Sequence, residues 1–130
     1  MVIDTSAIVA ILSNEAEADS FRKSLVGDPL RLVPATCVFE ARMVLVSRRG
    51  EHVLPEIDLW LTKILADVVP VDADLVDLAT QAWLAYGKGR HPAALNFADC
   101  LSYALARRSG EPLLYKGDDF ARTDIRAVEP

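Results

Sequence analysis

Three acidic side chains fall where their neighbours make a charge costly. Asp4 ends the apolar run Met1-Val2-Ile3, Glu40 lies inside the apolar stretch from Val38 to Val46, and Asp99 sits in the first turn of a segment opened by Asn96. An isolated charge is disfavoured in such settings unless something pairs with it. A fourth acid, Asp118, follows the run Leu113-Leu114-Tyr115-Lys116, with Asp119 beside it. Four carboxylates brought face to face repel one another and need a hard cation between them. A donor set of oxygens, without histidine or thiolate, suits Mg2+ or Mn2+. The two histidines, His52 and His91, are far apart and give no zinc spacing.

Each acid also has a local reading. Asp4 can cap the helix that begins near Ala7, and Asp99 can be the acidic third residue of a capping arrangement with Asn96. Asp118 and Asp119 occupy a turn, where aspartates are ordinary. Glu40 is harder to explain locally. Thr36, the expected cap of its helix, precedes it by four residues, and a capping box wants three.

The elements that must position these acids alternate in type. Short apolar segments at Met1–Ile3, Leu30–Val33, Val68–Val71 and Leu113–Lys116 read as strands, with Ile125 to Val128 as a last edge strand. Between them lie helical patterns: Ala7–Leu12, Ala18–Val26, Thr36 to Arg49, residues 55–66, the stripe from Leu75 to Tyr86 capped by Asp72, and Asn96 to Arg108. The Glu40 helix is apolar nearly all round and is expected to be largely buried. Strands alternating with helices imply an α/β fold, a parallel sheet with helices on both faces. In that architecture strand ends and the first turns of the following helices meet on one edge, so acids distant in sequence can share a site.

Composition sets the outer bounds. At 130 residues and 52% hydrophobic content, the chain suits one folded domain spanning residues 1–130. No apolar run has the length of a membrane span, and no signal-peptide pattern opens the chain. Two cysteines, Cys37 and Cys100, fit a reduced compartment, so a cytoplasmic location is expected. The net charge of −5 opposes a broadly positive nucleic-acid-binding surface. It does not oppose a nuclease, because acids gathered around a cation leave the local field to the ion.

Taken in order, Val2-Ile3-Asp4-Thr5-Ser6, the Glu40 helix, Leu95-Asn96-Phe97-Ala98-Asp99-Cys100 and Leu113 to Phe120 resemble the successive motifs of a PIN domain. The pattern is most similar to the VapC toxins of bacterial toxin–antitoxin pairs, and the stretch Tyr86 to His91 resembles a VapC subgroup. The resemblance covers essentially the whole chain. It implies a three-layer α/β/α fold with a mostly parallel sheet of four to five strands. It also implies an Mg2+- or Mn2+-dependent endoribonuclease in which water attacks a phosphodiester with the help of the metal. By position Asp4, Glu40 and Asp99 match the metal-holding acids, Asp118 the fourth acid in preference to Asp119, and Thr5 or Ser6 a supporting hydroxyl. The partners so implied are RNA, a cognate VapB-type antitoxin and a second copy in a homodimer.

An acidic site needs cations nearby to hold phosphates. Lys88, Arg90 and His91 on a glycine-bearing loop, and Lys116 beside the Asp118 turn, are the candidates for RNA contact. Apolar residues around Trp60, and around Val9 and Leu12, are candidates for partner surfaces, with the core as their ordinary alternative. Rival readings fit less well. A phosphatase of the haloacid dehalogenase type wants a second acid two residues after the first, where this chain has Ser6. A receiver-type module wants paired acids after the first strand. A PIN-fold interaction module without catalysis, acting through its antitoxin complex, is the remaining alternative.

Overall fold

The computed structural model describes residues 1–129. Four short strands form one parallel sheet: β1 (Val2–Ile3), β2 (Leu32–Pro34), β3 (Asp67–Val69) and β4 (Leu113–Leu114), in the order β3-β2-β1-β4. The helices are α1 (Thr5–Leu12), α2 (Ala18–Gly27), α3 (Ala35–Arg49), α4 (Leu54–Lys63), α5 (Ala73–Tyr86) and α6 (Phe97–Ser109).

Successive residues of a strand point to opposite faces, and in β1, β2 and β4 neighbouring residues are divided between two cores. Ile3, Val33 and Leu114 join Ile8, Val38, Leu45 and Ile57 beneath α1, α3 and α4. Val2, Leu32 and Leu113 join Leu75, Ala82, Leu101 and Leu105 beneath α5 and α6. The registers Val2↔Leu32, Val2↔Leu113 and Ile3↔Leu114 keep the two sets in step. The result is the expected α/β/α layering.

From β1 the chain crosses through α1 and α2 to β2 on one side, whereas β4 joins β1 on the other side after α6. At such a switch point the helices leave in opposite directions and open a crevice beyond the carboxyl ends of the strands. Asp4 is the first residue after β1 and stands at that crevice. The second boundary that matters is the end of α6, where Gly110 at φ 73° takes the left-handed conformation that stops the helix before β4.

Several elements differ from expectation. Thr36 does not cap α3. That helix leaves β2 directly with Pro34 at its cap, and the Thr36 hydroxyl is buried without a hydrogen-bond partner among the described residues. Nor is α3 buried all round: Cys37, Val38, Ala41 and Leu45 face the core while Phe39 is 65% exposed and Met43 54%. Apolar composition hid a two-sided helix whose outer ridge is hydrophobic. The third strand begins one residue early, at Asp67, and β4 ends at Leu114. The expected edge strand at Ile125–Val128 is a single parallel bridge between Leu113 and Ala127. No described helix is long and apolar enough to cross a membrane.

Candidate active site

Asp4 leaves β1 and becomes the N-cap of α1, accepting the Ser6 amide at 2.9 Å. The capping reading of Asp4 therefore holds, but it accounts for only part of the side chain. The same Oδ2 accepts the Ser6 hydroxyl at 2.6 Å, and Oδ1 accepts the Ser102 hydroxyl, also at 2.6 Å. Asp4 is 3% exposed, one of few polar side chains so deeply placed.

Asp99 likewise does two things. It closes a capping box: its amide donates to Asn96 Oδ1 and its carboxylate accepts the Asn96 amide, both at 2.9 Å. Burial pushes its pKa up to about 6 against the pull of the Asn96 amide, and the charges of Asp4, Asp119 and Glu40 add to the rise. Glu40, one and a half turns into α3, is half-buried.

These three acids line one cavity of about 550 Å3 at the carboxyl edge of the sheet, together with Thr5, Ser6, Glu15, Arg48, Asn96, Lys116 and Gly117. None of the ion pairs among the described residues engages Asp4, Glu40 or Asp99. Among the described residues, no three histidine, cysteine or acidic side chains already enclose a point at metal-ligand spacing. The acids face an open, polar cavity and not a closed cage. The chemistry of the donor set nevertheless fits a hard divalent cation, with only oxygens offered and a carboxylate whose ionisation is opposed by its neighbours.

A profile of the PIN domain matches residues 1–126. The chain belongs to the PIN domain family. Among its curated relatives are Ribonuclease VapC30 of Mycobacterium tuberculosis and Ribonuclease VapC of Mycolicibacterium smegmatis, each 49% identical over 128 residues. The alignment covers 98% of this chain in both cases, and 98% and 99% of the respective relatives. These relatives place it with the VapC-type members. The crystal structure of M. tuberculosis VapC20, a toxin that cleaves the sarcin-ricin loop, superposes with a TM-score of 0.79 at 21% identity and covers 99% of this chain and 98% of its own. A toxin–antitoxin complex from Klebsiella pneumoniae superposes at 0.72 with 15% identity, covering 95% and 92%. At those identities the likeness is one of fold.

Within this PIN domain the remaining expected residues are distributed unevenly. Ser6 is the hydroxyl that braces Asp4, and it also accepts the Lys116 amide at 2.9 Å, tying the segment after β4 to the site. Thr5 reaches the cavity wall, but its hydroxyl is buried without a hydrogen-bond partner among the described residues. Asp118, the expected fourth acid, does not line the cavity. Asp119 does not line it either; the charge of Asp119 adds to the raised pKa of Asp99, while burial and the charge of Asp118 raise the Tyr115 pKa. The loop cations are also turned elsewhere. Arg90 stacks on Trp83 at 4.8 Å, His91 accepts the Ala93 amide at 3.0 Å, and neither they nor Lys88 line the cavity. Lys116 does line it, but pairs with Glu15 at 2.7 Å and Glu17 at 3.1 Å.

Sequence reasoning missed Arg48, Glu15 and Ser102. Arg48 was legible, since Glu40, Val44 and Arg48 follow at successive four-residue steps on one face of α3 and all line the cavity. It pairs with Glu15 at 3.2 Å. Ser102 lies one turn beyond Asp99 on α6 and is fully buried. For the candidate partner surfaces around Trp60, Val9 and Leu12, the structure shows the core alternative. Val9 is core and Trp60 packs against it, while the exposed large apolar side chains include Phe39, Met43, Val76, Trp83 and Phe97 on α3, α5 and α6.

Proposed function

We propose that this chain is a divalent-cation-dependent endoribonuclease, the toxin of a VapBC-type pair. The observation that carries the reading is the convergence of Asp4, Glu40 and Asp99 on one cavity with no cationic side chain among the described residues paired to any of them. Its relatives are named ribonucleases at 49% identity over 98% of the chain, which supports the same class of substrate here.

Asp4, Glu40 and Asp99 supply the carboxylate oxygens for Mg2+, or for Mn2+ in its place, and Asp119 adds negative potential from the Gly117 turn. When bound, the cation acidifies water and neutralises charge on a phosphodiester under attack. The protein's own part is to hold its donors still. Ser6 and Ser102 fix Asp4, and Asn96 fixes Asp99 through the capping box. Arg48 and Lys116, at the same cavity, are the cations placed to meet RNA phosphates. Glu15 holds both in the free protein, so RNA must compete with it. A cognate VapB-type antitoxin restrains the toxin, a reading supported by the toxin–antitoxin complexes among the structural neighbours. The toxin itself pairs as a homodimer.

The test is cleavage of RNA by purified protein with and without Mg2+ or Mn2+, run beside Asp4→Asn as the control for contaminating nuclease. Cleavage that needs both the cation and Asp4 is the expected result. A folded wild-type protein that binds its antitoxin and leaves RNA intact in every cation overturns the enzymatic reading in favour of an interaction module.

A further inference from the structure

The carboxylate of Asp4 is held in an unusually complete way. Each oxygen receives one short hydroxyl hydrogen bond, from Ser6 to Oδ2 and from Ser102 to Oδ1, both at 2.6 Å. Each of those hydroxyls is met in turn by a group from another element. Ser6 Oγ accepts the Lys116 amide, two residues past β4, at 2.9 Å, and Ser102 Oγ lies 3.1 Å from the Cys37 thiol on α3. A serine hydroxyl has one proton to give. Ser102 gives its proton to Asp4, so Cys37 is the donor in the second contact and the chain of bonds runs from Cys37 through Ser102 to Asp4.

The positions along the helices give this chain its meaning. Cys37 precedes Glu40 by three residues on α3, and Ser102 follows Asp99 by three on α6. Residues three apart share a helix face. The buried relay therefore joins, one turn behind the cavity, the three elements that carry the three acids. It also limits what Asp4 can offer. Oδ2 already accepts two donors, the Ser6 amide and hydroxyl, whereas Oδ1 accepts only Ser102 among the described residues and keeps one lone pair free.

We propose that Ser102, backed by Cys37, is a positioning residue that sets the spacing of Asp4, Glu40 and Asp99 and directs the free lone pair of Asp4 Oδ1 into the cavity. The inference rests on the divalent-cation reading given under the proposed function. Neither side chain touches substrate: both are fully buried, and they act through Asp4. Partners that orient a ligating carboxylate change metal affinity by about 10- to 100-fold when they are removed.

The experiment measures Mn2+ binding by calorimetry on wild type, Ser102→Ala, Cys37→Ala, Cys37→Ser and Asp4→Asn, with thermal melts in EDTA to establish that each is folded. Ser102→Ala is expected to melt cooperatively and to bind Mn2+ about 10- to 100-fold more weakly. Its RNA cleavage should recover toward wild type as Mn2+ is raised to saturation. Cys37→Ala should weaken binding less, and Cys37→Ser, which keeps a donor, should restore it. A purely structural role would lower the melting temperature and leave the affinity of the folded protein unmoved. Folded Ser102→Ala with wild-type Mn2+ affinity overturns the proposal. Should Ser102→Ala not fold, equal affinities in Cys37→Ala and Cys37→Ser overturn it instead. Wild type and Asp4→Asn binding Mn2+ alike would sink the cation reading itself, which is a separate result from binding that Asp4→Asn loses and Ser102→Ala keeps.

Discussion

Two aspartates in this protein do the same local job in opposite surroundings. Asp72 caps α5 by accepting the Leu75 amide at 2.8 Å, and Asp4 caps α1 by accepting that of Ser6 at 2.9 Å. Asp72 stands in solvent with Arg108 at 2.8 Å, and the Leu75 amide together with that guanidinium holds its pKa below the usual carboxylate range. Asp4 is buried, shares a cavity with two other acids and pairs with no cation among the described residues. A cap bond is thus compatible with a spent carboxylate or with one that still has capacity to bind. Solvent access and the sign of the neighbouring charges separate the two cases, and capping geometry does not.

The sharpest way to break the contrast is to neutralise each aspartate in turn. Asp4→Asn should reduce RNA cleavage to background and remove Mn2+ binding, while retaining the fold because asparagine caps a helix as well as aspartate. Asp72→Asn should leave cleavage and metal affinity as they are and lower the melting temperature by a few degrees at most. Equal catalytic losses in the two variants would erase the distinction.

The next largest effect is on pH dependence. With its folded pKa near 6 against an ordinary 3.8, Asp99 stays protonated in the native protein after it has ionised in the unfolded chain. The native state then binds more protons, so stability falls as pH rises from about 4 to 6. The fall is at most about 3 kcal/mol for a shift of this size. Urea melts of metal-free protein across that range should show the decline, and Asp99→Asn should flatten it. Asp72, whose pKa is shifted the other way, contributes stability that is present above its unfolded pKa and lost as pH falls through the folded one. The two windows therefore slope in opposite directions.

Cation addition should produce a comparable gain at the Asp4 end alone. A ligand at a hundred times its dissociation constant stabilises by about 2.7 kcal/mol. The rise in melting temperature with Mn2+ should survive Asp72→Asn and disappear with Asp4→Asn. A smaller effect belongs to the rim. Replacing Arg48 and Lys116 together by alanine should weaken RNA binding and lower its salt dependence by about two ionic contacts. Glu15→Gln should do the reverse to a smaller extent, tightening binding by freeing Arg48 while Glu17 still holds Lys116, and filter binding across a salt series reads both.

Much of this arrangement was legible in the sequence. The order of strands and helices followed from apolar periodicity, and Asp4, Glu40 and Asp99 stood out because their neighbours are apolar. What was not legible depended on direction in space. Asp118 and Asp119 are adjacent, and spacing alone does not say whose charge adds to the rise at Asp99; in the folded chain that of Asp119 does. Lys88, Arg90 and His91 looked like phosphate contacts by composition, yet Arg90 stacks on Trp83 and donates to the Leu84 carbonyl of α5, and His91 accepts the Ala93 amide of its own loop. The α3 helix showed the converse problem. Its apolar residues read as core, but a helix has two sides, and Phe39 and Met43 lie on the outer one. Ser102 carried no signal at all, because a serine in a helix is unremarkable until its partner across the molecule is known.

The brevity of β1 ties the heredity of the fold to that of the site. Val2 serves one core, Ile3 the other, and Asp4 follows at once. A slip of one position would exchange the two side chains between layers and turn the carboxylate away from the crevice. An insertion or deletion there damages packing and chemistry in one event, so selection on either polices both.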